Sequence, residues 1–156
     1  MTTISIVGAW PGAPDLLTRR AEQRIQSADV LIWTDSLVSP EIAALASDHC
    51  ERIRTSTLTL EQVIPLMIDR SSQGSRVVRL HDGDPCLYSA LNEQICALAD
   101  AGITVEVVPG ISAYQATAAA INAELTIPGV VQTIVLGRTG GRTGVPEREQ
   151  LDHLAR

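Results

Sequence analysis

Short apolar runs rich in β-branched residues alternate with stretches of helical period over most of the chain, and this alternation constrains the fold more than any single residue does. The strand candidates are Ile4 to Val7, Val30 to Trp33, Arg52 to Arg54, Val77 to Leu80 and Thr104 to Val108. Strands separated by helical segments are expected to lie parallel, because each helix is the crossover that returns the chain to the same edge. The expectation is an α/β fold with a mainly parallel five-stranded sheet. At 156 residues and 45% hydrophobic content the chain can bury one ordinary core.

The intervening segments carry their own boundaries. A first helix is expected over 15–27, with Leu17, Ala21, Ile25 and Ala28 on one face and Pro14 and Asp15 at its first turn. A short helix is expected near 40–46, and one over 59–72 in which Pro65 argues for a kink or a late start and Gly74 for the end. Helices at 87–101, closed by Gly102, and 112–121 complete five strand–helix units.

After Ile121 the pattern changes. Residues 123–129 read as a linker, residues 130–136 as a new strand, and residues 148–156 as a helical start with no stop signal. One strand and one unfinished helix cannot bury their own faces. The tail is packed on the first domain, completed by another chain, or the start of a second α/β domain, and the last reading is preferred. The expected division is 1–122, 123–129 and 130–156.

Charge narrows the function classes. The formal net charge of −6, with no run of basic residues, argues against a nucleic-acid groove or an anionic membrane surface. No apolar run approaches the roughly 18 to 20 residues that span a bilayer, and no charged secretory start is present, so a cytoplasmic protein is expected. All basic charge is arginine. A lysine Schiff base or lysine general base is therefore excluded. Cys50, Cys86 and Cys96 are widely spaced, which disfavours disulfides and zinc and predicts buried thiols. No metal is expected.

Three strand-to-helix loops carry the candidate chemistry. The first, GAWPGAPDLLT over 8–18, has the setting of a dinucleotide loop but places Trp10 where the backbone would have to approach a pyrophosphate. A phosphate-binding reading is poor. The second, over 79–88, contains Asp82-Gly83-Asp84-Pro85: its carboxylates favour a cation, and turn chemistry alone explains the string equally well. The third, over 107–113, joins strand to helix through Pro109 and Gly110, with Ser112 as an N-cap. His81 is read as a structural or hydrogen-bonding residue, His49 and His153 as surface positions, and Tyr88 and Tyr114 as helix-packing residues.

Together these loops resemble the tetrapyrrole methylase family, whose signatures are G-x-G-P-G-D-P-x-L-L-T after the first strand, G-D-P after the fourth and V-P-G-[IV]-[ST] after the fifth. Further strings resemble the branch that methylates precorrin-4 or cobalt-precorrin-4 at C11: Asp35-Ser-Leu-Val-Ser39, His81-Asp-Gly-Asp-Pro85, Ala123-Glu-Leu-Thr-Ile-Pro128 and Gly141-Arg-Thr-Gly-Val-Pro-Glu147. The resemblance runs from Ile4 to the last residue. It implies two α/β domains, S-adenosyl-L-methionine in the cleft between them, a tetrapyrrole substrate over a trough, and a homodimer. By motif, Pro11, Asp82, Gly83, Asp84, Leu87, Ser112 and Ala113 are implied cofactor contacts. Asp35 is an implied proton acceptor or substrate contact. The residues after the third strand, Arg54 to Thr57, supply no implied proton donor. Trp10, Ala13 and Ser89 stand where the pattern has glycine, aspartate and glycine. Two other readings stay open: a methylase acting on protein or ribosomal RNA, and a binding or dimerisation module that kept the fold without the chemistry.

Overall fold

The computed structural model describes residues 3–140 and 144–154. Five strands, β1 (Thr3–Gly8), β2 (Val30–Trp33), β3 (Glu51–Arg54), β4 (Val77–His81) and β5 (Thr104–Val108), form one all-parallel sheet in the order β3-β2-β4-β1-β5. Among them run helices α1 (Arg19–Gln26), α2 (Pro40–Ala43), α3 (Leu60–Ser72), α4 (Leu91–Asp100) and α5 (Ala113–Ala120), followed near the end by α6 (Leu151–Leu154). All five expected strands form, each within a residue of its expected ends.

Strand alternation divides the core between two layers. Leu31, Trp33, Val78 and Leu80 pack with Ala21 and Ile25 of α1 and Ile42 and Ala43 of α2. Their sequence neighbours Val30, Ile32 and Val77 point the other way, to Val63 and Met67 of α3 and Leu98 of α4. Such two-sided burial is why these strands read as continuous apolar runs.

The crossovers also fix where a ligand can sit. From β1 the chain crosses to β2 in one direction, and from β4 it crosses to β5 in the other. Because β1 and β4 are neighbours, their outgoing loops part to opposite faces and leave a crevice at the carboxyl edge.

Local chemistry moved several helix ends. The first helix starts at Arg19, not Asp15: Pro14–Leu16 forms a separate 3-10 turn, Leu17 and Thr18 are extended, and the Thr18 hydroxyl caps the new start by accepting from the Ala21 N–H at 3.2 Å. Helix α2 stops at Ala43. Helix α3 begins after the capping residue Thr59, whose N–H donates to Gln62 Oε1 at 2.9 Å, and runs through Pro65 with no late start. Gly74, at φ +84°, closes it as expected. Helix α4 starts at Leu91 rather than 87, because Tyr88 and Ala90 take left-handed backbone angles of φ +59° and +53° that no helix accommodates. Tyr88 is consequently 58% exposed, not packed on a helix.

The chain divides into two units, Met1–Thr117 and Ala118–Arg156. Within the second, the expected strand 130–136 does not form. Its contact with other backbone among the described residues is one antiparallel bridge, Ile127 to Val131, and Val130, Ile134, Val135 and Leu136 are exposed. A strand exists only by pairing, and the described residues offer this segment no further partner. The expected helix at 148–156 is reduced to a 3-10 turn, Glu147–Glu149, and α6; the last two residues, and the motif positions Gly141 to Thr143, lie outside the described residues. Of the three thiols only Cys50 is buried, whereas Cys86 and Cys96 are exposed. Among the described residues no helix is long and apolar enough to cross a membrane.

Candidate functional site

The three loops meet at the carboxyl edge of β1, β4 and β5, and backbone holds them together. Ala9 N–H donates to the His81 carbonyl at 2.8 Å, joining the first loop to the end of β4. A Cβ on Gly8 would lie 2.6 Å from the Gly110 backbone and 2.6 Å from the Gly83 carbonyl oxygen, and a Cβ on Gly110 would collide with that same oxygen. Glycine is required at Gly8 and Gly110 because three loop backbones touch there. The Trp10–Pro11 peptide is cis and Gly12 has φ +102°.

Asp84 supplies the strongest tie. Its Oδ2 accepts from the Gly110 N–H at 3.0 Å, linking second loop to third, and its Oδ1 accepts from the Cys86 N–H at 2.8 Å, shaping its own turn. Both carboxylate oxygens are occupied within the protein. Asp84→Ala would leave two N–H groups without a charged acceptor and is expected to cost about 2 kcal/mol, with Asp84→Asn costing roughly half as much. Equal urea midpoints for the variants and the parent protein would rule out this tie.

Asp82, by contrast, is exposed at the same edge, and Gly83, at φ +69°, would have nothing within 4 Å of an added Cβ. Leu87 is half-buried one turn on, where its N–H meets the Asp84 carbonyl at 3.0 Å. Ser112 is buried and Ala113 opens α5. The second and third loops thus stand side by side, joined by the Asp84–Gly110 hydrogen bond, with an exposed carboxylate at Asp82 and a half-buried apolar side chain at Leu87.

Asp35 stands apart from that group, over the ends of β2 and β3. Its Oδ1 accepts from the Ser56 N–H at 3.2 Å, and this hydrogen bond, helped by the field of Arg54, holds its carboxyl below the usual carboxylate range. Arg54 in turn lies over the Trp33 ring, 6.0 Å from its centroid. Pro11 belongs to the first loop, whose Gly12 faces Ser39 of the loop after β2.

Beneath these loops lie two buried polar residues of β4. His81 is 8% exposed, and its Nε2 is 3.4 Å from Gln94 Oε1. Gln94 spends its amide protons on the Ser89 and Ala90 carbonyls at 3.1 and 3.2 Å, so its oxygen is left to accept from His81. The expected hydrogen-bonding role of His81 is thus to brace the left-handed turn before α4. Ser89 adds a hydroxyl bond to the Pro85 carbonyl. Arg79, two residues before His81 on the same face, was not singled out from the sequence; an arginine inside the apolar run VVRLH was the available signal.

The sequence pattern of the tetrapyrrole (corrin/porphyrin) methylases matches residues 3–156. The chain belongs to this family. The chain is 45% identical over 151 residues to the cobalt-precorrin-4 C(11)-methyltransferase of Priestia megaterium, covering 97% of itself and 58% of that protein. It is similar to the crystal structure of a cobalt precorrin-4 methyltransferase of cobalamin biosynthesis, with a TM-score of 0.92 and 44% identity over 98% of this chain and 64% of the other. A uroporphyrin-III C-methyltransferase from Thermus thermophilus, solved in complex with S-adenosyl homocysteine, matches with a TM-score of 0.68 and 30% identity, covering 82% of this chain and 51% of its own. The chain thus spans about three fifths of the length of the Priestia relative, 58%. Its parallel five-stranded α/β fold agrees with that of the cobalt precorrin-4 methyltransferase.

Proposed function

We propose that this chain carries the cofactor loops of an S-adenosyl-L-methionine-dependent methyltransferase acting at C11 of precorrin-4, with or without cobalt, in cobalamin biosynthesis. The observation that carries the reading is the junction of the three signature loops at the β1–β4 crevice through Gly8, Gly83, Gly110 and the Asp84–Gly110 tie. That junction occurs in a chain 44% identical to a cobalt precorrin-4 methyltransferase.

The residues fit such a cofactor. Asp82 is an exposed carboxylate beside an open glycine turn, which favours a cation, and Leu87 and Ala113 offer apolar contact next to backbone N–H and C=O groups. When bound, S-adenosylmethionine supplies an electrophilic methyl group on a positively charged sulfur. In this reading Pro11, Asp82, Gly83, Leu87, Ser112 and Ala113 line its site, and Asp84 shapes the site by binding the two loops to each other. Methyl displacement needs chiefly in-line positioning, so rigid loops are the main contribution of these residues. Asp35, ionised at neutral pH, is the group on this chain that would orient the substrate or accept the proton that the methylated carbon releases.

The same reading assigns 123–129 as a linker and 130–156 as the start of a second α/β domain. The exposed apolar residues Val130, Ile134, Val135 and Leu136 suit a strand that pairs within such a domain. A homodimer working in the cytoplasm completes it. Calorimetric titration with S-adenosylhomocysteine is expected to give one site per chain, and absence of heat would refute the cofactor assignment. Mass spectrometry of precorrin-4 incubated with protein and S-adenosylmethionine is expected to show one added methyl group. Binding without transfer would count against catalysis by this chain alone.

A further inference from the structure

The arginines around the amino edge of the sheet are paired. Arg24 grips Glu106, Arg70 grips Glu51 and Arg76 grips Asp29, each through two nitrogens. Arg79 is different. It is 6% exposed, on the strand at the centre of the sheet, and its side chain reaches toward the carboxyl edge. There Nη1 donates to Thr55 Oγ1 at 3.1 Å and Nη2 to Thr34 Oγ1 at 3.3 Å, while the buried Nε has no acceptor.

Both partners are neutral hydroxyls whose own protons are already directed. Thr55 donates to the Trp33 carbonyl at 3.2 Å, so Thr34, 3.2 Å from Thr55, is left to donate to it. Of the five N–H donors of the guanidinium, two are used. Burial lowers the affinity of Arg79 for its proton to a pKa of about 10, opposed by the field of Asp82, and the group stays charged at neutral pH. A buried charge with no carboxylate in hydrogen-bond contact among the described residues is costly, and a planar fork with free donors is the shape that receives a carboxylate at two points.

We propose that Arg79, backed by Thr34 and Thr55, receives one carboxylate arm of the tetrapyrrole substrate at the carboxyl edge of β2, β3 and β4. The inference rests on the reading that this edge holds a tetrapyrrole, whose precursors carry acetate and propionate arms. The other source of a carboxylate is the methionine end of the cofactor. Asp82 acts on the guanidinium through its field, and Asp35 and Ser56 directly follow the partners Thr34 and Thr55, so a single tethered carboxylate is accommodated better there than a multiply charged free anion.

The test compares the parent chain with Arg79→Met and Arg79→Lys, using uroporphyrin as the carboxylate-bearing tetrapyrrole probe, followed by quenching of tryptophan fluorescence, and S-adenosylhomocysteine by calorimetry. Arg79→Met is expected to weaken uroporphyrin binding about tenfold to a hundredfold. Its affinity for S-adenosylhomocysteine should stay the same, and its thermal midpoint should be equal or higher, because the uncompensated charge is gone. Arg79→Lys, which keeps charge without the fork, should recover part of the uroporphyrin affinity. Unchanged uroporphyrin binding in Arg79→Met would overturn the inference. So would a parallel loss of both ligands with falling stability, which marks a structural clamp, or a loss confined to S-adenosylhomocysteine, which assigns the arginine to the cofactor. A parent chain that binds S-adenosylhomocysteine but not uroporphyrin overturns this inference alone; one that binds neither overturns the functional reading with it.

Discussion

Alanine at Gly8 is expected to cost about 3 kcal/mol of stability and to abolish S-adenosylhomocysteine binding. The added Cβ would stand 2.6 Å from backbone atoms of Gly110 and from the Gly83 carbonyl, and backbone cannot swing aside as the end of a long side chain can. Relief requires the first loop to part from the other two. Gly110→Ala should behave alike, since its Cβ meets the same carbonyl from the opposite side. Gly83→Ala is the control: its φ of +69° strains an L-residue by about 1 kcal/mol, but nothing lies within 4 Å of the new methyl. Urea unfolding of the three variants should therefore place Gly8→Ala and Gly110→Ala well below Gly83→Ala. Equal midpoints would mean that the loops do not touch.

Acidification from pH 7 to pH 4 is expected to remove up to about 3 kcal/mol through His81 alone. Burial, reinforced by the neighbouring charge of Arg79, lowers its pKa from 6.5 to about 4. The sign follows from proton counting. Between those values the unfolded chain holds the proton and the folded chain does not, so stability is complete above pH 6.5 and falls as the pH drops toward 4. The Asp29 carboxyl, lowered to about 2 by its hydrogen bonds from Arg76, acts only below this window. Urea midpoints at pH 7, 5.5 and 4 should decline in the parent chain and decline much less in His81→Asn, which cannot take up a proton and keeps only the loss from carboxyls such as Glu51 and Glu106, lowered from 4.5 by Arg70 and Arg24. Because the Nε2–H donation to Gln94 survives protonation, S-adenosylhomocysteine affinity of the folded chain should hold over the same interval. An equal decline in His81→Asn would assign the acid sensitivity elsewhere.

Some parts of this molecule were legible before any coordinates. The inner strands β1, β2 and β4 were, because burial on both faces writes a mainly apolar run there, whereas the edge strands β3, ERIR, and β5, TVEVV, carry weaker runs on more exposed backbone. The ends of α3 and α4 marked by Gly74 and Gly102 were, because only a left-handed residue closes a helix in that way. The start of α1 was misplaced, since Asp15 and Pro14 are good first-turn residues in isolation and Thr18 proved the better cap. The start of α4 was misplaced for another reason: nothing in the string Leu-Tyr-Ser-Ala announces two left-handed residues, which the Ser89 and Gln94 hydrogen bonds hold in position. Residues 130–136 carry strand composition, yet composition supplies no partner for a ladder.

The candidate site divides in the same manner. Sequence alone determined the family, the parallel α/β order and the three loops, because each is a local pattern of residue types at fixed spacing. Tertiary structure alone decided what those residues do there. It joined Gly8, Gly83 and Gly110, placed 75 and 27 positions apart along the chain, into one backbone contact. It directed both oxygens of Asp84 to backbone N–H groups while leaving Asp82 exposed, and among the described residues it gave the buried Arg79 hydroxyl partners in place of a bonded carboxylate. The physical reason is that hydrogen-bond partners and burial are properties of neighbours in space. Strand crossover brings those neighbours together, and spacing along the chain does not contain them.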